Sequence, residues 1–148
     1  MSEMIEKNIV KYNEIINRDN ALDVLQQKIH IHDYFFEHLQ FDYSENILTV
    51  SLQSFEKSPR PACIRFYNVI GVKMSCCDFW GETKRIDCWY VEEEQGSVLL
   101  NDLVKERDLH NYDLSRLKDE NKFFESTISV LSGDKVTVVC EYAIYEET

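Results

Sequence analysis

The sequence predicts a mainly β, α+β protein: an antiparallel sheet or two-sheet β-sandwich of about six strands, with a helical segment at its amino end. Three observations carry that expectation. Several stretches alternate apolar and polar residues, two pairs of them are joined by short polar turns, and strand-like and helix-like runs do not alternate as they do in a parallel sheet.

The clearest alternation lies in residues 35–52. His38-Leu39-Gln40-Phe41-Asp42-Tyr43 changes polarity at every step, Ser44-Glu45-Asn46 supplies turn-forming types, and Leu48, Val50 and Leu52 then fall on one face of a second run. This pair reads as a hairpin. Residues 124–131 and 135–145 form the second pair around Ser132-Gly133-Asp134, whose glycine can take positive φ. The run 135–145 is β-branched and aromatic throughout and reads as one long strand.

The remaining elements follow in order. Ile5, Ile9, Tyr12 and Ile16 are spaced for one helix face. Arg18-Asp19-Asn20 interrupts with two capping types, and residues 21–27 resume a helical pattern. Residues 1–28 are therefore expected to be helical and residues 29–145 to form the β-rich core of a single domain spanning 1–148. Pro59 and Pro61 mark a loop, because they remove ladder donors and keep their preceding residues out of helix. Residues 62–70 alternate again; Gly71 suggests a bulge or bend, with 72–77 extending the strand. Asp78 to Thr83 reads as an aromatic-bearing turn. The next strand, 85–91, sets Ile86, Cys88 and Tyr90 against Trp89 and Val91 on opposite faces, which suggests a central position. Between 97 and 122, Val98, Leu99, Leu100, Leu103 and Val104 suit a short helix and the rest an irregular or helical insertion.

Composition narrows the function. At 148 residues and 44% hydrophobic, the chain can bury a core without disulfides or a structural metal. Its net charge of −11 disfavours nucleic acid and anionic membranes, which need a positive footprint, and favours a basic protein surface. Residues 1–7 show no basic segment leading into an apolar core, and no window approaches the roughly 20 apolar residues of a membrane span. Cys63, Cys76, Cys77, Cys88 and Cys140 form an odd set without CxxC spacing, expected as reduced, mostly buried thiols. A cytoplasmic protein is expected.

No motif for a phosphate loop, a dinucleotide, a nucleophilic serine or a zinc protease occurs, so no enzyme and no cofactor are expected. His30, His32 and Asp33 are the candidate metal ligands, since two residues apart on a strand places both imidazoles on one face. A further ligand is lacking nearby, because only His38 and His110 remain among the histidines. Adjacent Cys76 and Cys77 point to opposite faces of a strand and chelate poorly. Trp80, beside Gly81 in an expected loop, is the candidate anchor for a partner, and Glu92, Glu93, Glu94, Asp119 and Glu120 are the candidate acidic contacts.

His32-Asp33 before a hairpin, Phe41-Asp42-Tyr43 followed by Asn46 to Leu52, the Ile64-Arg65-Phe66 strand with Asn68-Val69, and the Ile128 to Asp134 turn together resemble small bacterial β-proteins of the YxiG-like kind. The resemblance covers most of residues 29–145. It implies a place near polymorphic toxins, where small acidic proteins serve as immunity factors, and it carries no catalytic residues. The expected function is non-enzymatic protein binding, with a basic toxin domain as partner. The alternatives are a metal-dependent or small-ligand-binding protein using His30, His32 and Asp33, and a self-associating structural module or homo-oligomer built on an exposed edge strand.

Overall fold

A computed structural model describes residues 12–76, 84–92, 97–110 and 116–148. Its elements run β1 (Tyr12–Asn17), α1 (Ala21–Gln27), β2 (Phe35–Asp42), β3 (Ile47–Gln53), β4 (Pro61–Tyr67), β5 (Gly71–Ser75), β6 (Ile86–Tyr90), α2 (Val98–His110), a 3-10 turn (Glu120–Lys122), β7 (Phe124–Val130), β8 (Lys135–Cys140) and β9 (Tyr142–Glu147). The strands form two antiparallel sheets. Sheet A has the order β1-β9-β4-β3-β2 and sheet B the order β5-β8-β7-β6.

Alternation explains the layering. Leu48, Val50, Leu52, Ile64 and Phe66 from sheet A and Ile86, Ile128, Val136 and Val138 from sheet B are buried together in one core, while their odd-numbered neighbours on β3 and β4 face away from it. Phe66 meets Trp89 edge-on at 5.7 Å across the two sheets, and the Trp89 indole N–H donates to Ser126 Oγ at 3.0 Å, satisfying a polar atom deep in the apolar layer. Fully burying a side chain of this kind stabilises the fold by about 1.5–3 kcal/mol.

The two sheets cross. Phe35, at the start of β2, bridges Arg85 next to β6, whereas Phe41 and Tyr43, at its end, line a cleft with Gly71 and Val72 of β5. β2 therefore runs over sheet B from one edge to the other, as in crossed rather than aligned packing. Sheet B is covered a second time on its outer face, where Leu100, Leu117, Phe123 and Val139 form a second core with Ile70, Leu99, Leu103 and Val104. Helix α2 supplies most of that layer. Its amino end is held by Glu125, whose carboxylate accepts from the Leu100 N–H at 2.8 Å. No helix among the described residues is long and apolar enough to cross a membrane.

Several expectations are corrected. Among the described residues the strands number nine rather than about six, and helix is not confined to the amino end. Residues 12–17 are an edge strand rather than the end of a helix, because Tyr12, Glu14 and Ile16 also share one side of a period-two strand and β9 offers them a ladder. The part of that helix expectation before residue 12 lies outside the described residues. The run 135–145 is two strands: Val136 and Val138 face the core in sheet B, Ala143 and Tyr145 face it in sheet A, and the inward parity changes at Glu141. β5 likewise belongs to the other sheet from β4, and the bend falls at Asn68, which adopts φ 50°. β6 is an edge strand, not a central one, because a bulge between Ile86 and Cys88 turns Ile86 and Trp89 inward together and leaves Asp87 and Cys88 exposed. Of the four described cysteines only Cys140 is buried; Cys63 is intermediate, and Cys76 and Cys88 are exposed.

Candidate interaction surface

Sheet A presents its outer face without a covering element among the described residues. The register aligns its outward side chains in rows: Asn17, Tyr142, Tyr67, Ile47 and Asp42; then Ile15, Ile144, Arg65, Thr49 and Gln40; then Asn13, Glu146, Cys63, Ser51 and His38. Strand spacings of about 4.8 Å and a rise of about 3.3 Å per residue give this face about 300 Å² in projection.

Its centre holds one neutralised ion pair on a strongly acidic chain. Tyr67 and Tyr142 stack, Ile15 is 56% exposed, and Arg65 donates to Glu146 at 2.8 Å, cancelling the one central cation. The carboxylate beside it raises the Arg65 pKa, and partial burial pushes the Cys63 thiol up, so Cys63 stays protonated and unreactive at neutral pH. Carboxylates stand at the margin instead. Glu37 is exposed at the bulge of β2, Asp42 accepts from the Ser44 and Glu45 N–H groups beyond it, and Glu141 accepts from the Asn68 side-chain amide beside Tyr67. A tyrosine stack beside a neutralised ion pair, with further carboxylates at the margin, matches the aromatic and polar anatomy of protein interfaces.

The sequence candidates fall elsewhere. Trp80, Glu93 and Glu94 lie outside the described residues, and Glu92 is exposed just past β6. Asp119 accepts from the Asn121 N–H at 3.0 Å and so caps the 3-10 turn, while Glu120 pairs with Arg107 at 3.0 Å. Residues 29–33 are not a strand, so the two imidazoles do not share a strand face. Asp33 takes φ 71° and lies 3.9 Å from Arg85, and His32 contacts the Asp87 carbonyl through Nδ1 at 2.8 Å. Among the described residues no three His, Cys, Asp or Glu side chains come together as metal ligands would.

One polar cluster had no signal in the sequence. Tyr34 and Tyr145 both donate to Glu147 Oε1, and the Tyr12 ring meets Tyr145 edge-on at 6.1 Å. Burial, then the Glu147 hydrogen bond, raises the Tyr34 pKa to about 12, and the same causes raise Tyr145 further. The cluster ties the 29–34 connection to the end of β9. The shared carboxylate makes it a structural clasp.

No protein-family model, curated protein or solved structure matches this chain.

Proposed function

We propose that this chain is a non-enzymatic protein-binding domain that docks a basic partner on the outer face of sheet A. The Tyr67–Tyr142 stack beside the neutralised Arg65–Glu146 pair, with further carboxylates at the margin, carries the reading. Complementary charge speeds encounter and restricts partners, while a few well-packed aromatics supply most of the affinity. An acidic rim facing its own copy sets like charges together, so a basic heterologous partner is favoured over a homodimer on this face. An immunity protein that neutralises a toxin domain is the specific form that the resemblance implies. Glu92, exposed just past β6, would then add to steering.

The test is affinity capture from the native host with wild-type protein and with an Ile144→Asp, Thr49→Lys variant, followed by amide exchange on the purified complex. The expected result is a basic protein retained at low salt, lost by the variant, and protecting β4 and β9. A partner that the variant keeps, or that protects only other strands, overturns the reading.

A further inference from the structure

At the edge where the crossed sheets part, Leu39, Phe41, Leu48, Val69, Ile70 and Val72 wall a cleft of about 420 Å³, within the usual range for small-molecule sites. We infer that this cleft binds a small amphiphilic carboxylate, its apolar part between β2 and β5 and its carboxylate on Arg116.

Arg116 is part of the lining and, among the described residues, the one formal charge in it. Its position is braced. One terminal nitrogen donates to Asn68 Oδ1 at 2.8 Å, the other donates to the Val69 carbonyl, and Asn68 is in turn held by its own donation to Glu141 at 3.0 Å. A guanidinium carries five N–H donors in a planar fork, so these two bonds leave it donors for a ligand. Bracing lowers the entropy lost when a carboxylate binds.

The rest of the cleft sets the ligand's other half. Val72 is 39% exposed although its strand position turns it toward sheet A, because the sheets diverge there and leave that side chain uncovered. An apolar chain or ring laid between Phe41 and Val72 removes both from water. The total charge of −11 disfavours ligands with several negative charges, so a single carboxylate is the matching head group.

The experiment titrates the isotope-labelled full chain with decanoate below its micelle concentration and follows backbone amide shifts, with decanol as the uncharged control. Saturable shifts at Leu39, Gly71 and Val72 are expected. Arg116→Gln should weaken decanoate about tenfold or more and leave decanol nearly unchanged, the loss of a charge-assisted hydrogen bond. If that variant does not fold, Val72→Glu on the exposed edge strand should weaken decanoate by a similar factor through like-charge repulsion. Equal affinity for decanoate and decanol, shifts that never saturate, or unchanged decanoate affinity in the folded variants would overturn the assignment.

Discussion

The rings of Tyr67 and Tyr142 lie 4.7 Å apart and within 5° of parallel, stacked across the β4–β9 ladder on the open face of sheet A. Cross-strand pairs of this kind contribute roughly 0.2–1 kcal/mol, much less than a core aromatic. A double-mutant cycle of Tyr67→Ser and Tyr142→Ser in urea unfolding should therefore return a coupling below about 1 kcal/mol. Partner affinity should fall by more than stability does. A coupling of several kcal/mol would assign the pair to the core instead of to the surface.

At Gly71, side chains of α2 pack directly on β5. A Cβ built there would stand 2.7 Å from Leu103 Cδ1, the far end of a flexible side chain. Gly71→Ala should cost about 1–2 kcal/mol as Leu103 shifts in its packed layer. In a Leu103→Ala background the same substitution should be close to neutral. Thermal or urea unfolding of the four proteins checks this, and a full penalty in both backgrounds would place the strain in the backbone.

Glu125 links stability to pH. Burial raises its carboxyl pKa above the ordinary 4.5, with the bonds from the Leu100 and Leu99 N–H groups opposing that shift. The raised folded value means the native state holds its proton more tightly than the unfolded chain does. Its contribution is complete below pH 4.5 and is lost as pH rises through the folded value. Glu125→Gln keeps an oxygen for the Leu100 N–H and removes the ionisation. The stability of this variant, measured by urea unfolding from pH 4 to 7, should fall less with rising pH than that of the wild type.

The tyrosine clasp sets behaviour in alkali. Tyr34 is raised to about 12 and Tyr145 above its ordinary value, so their stabilising contribution is intact below pH 10 and is lost as pH climbs through the folded values. Phenolate absorbance should show Tyr34 and Tyr145 ionising together with loss of the native circular dichroism. Glu147→Gln removes the charge that disfavours phenolate, lowers the folded values, and should make stability fall less steeply as pH rises in alkali. An unchanged slope would show that burial alone holds these protons.

Much of sheet A could be read from the chain. The alternation of Leu48, Val50 and Leu52 against polar neighbours defines β3, its burial pattern alternates as expected, and the turn before it ends in Asn46 with φ 57°. Gly133 takes φ 100° in the β7–β8 turn, the role its residue type suggests. The Pro59-Pro61 loop closes where expected, with Ser54 and Arg60 bonded across it. The helix over 98–104 is present and extends to His110.

The candidate surface was less legible. Tyr67, Arg65, Tyr142 and Glu146 are ordinary outward positions on strands far apart in sequence, and nothing local distinguishes them from any solvated strand face. Pairing β4 with β9 makes them neighbours. Asp119 and Glu120, in contrast, look free in a charged stretch and prove to cap a turn and pair with Arg107.

What the sequence by itself determined was periodicity: which residues alternate, where turns break them, and that the protein is mainly β with a large negative charge. Local propensity and side-chain polarity suffice for that, because both act within a few residues. Only the tertiary structure decided that 135–145 divides between two sheets at Glu141, that 12–17 pairs with β9, and which face of sheet A no described element covers. Those outcomes depend on which distant strand offers a ladder and a core to bury against, and that competition is settled by the whole chain at once.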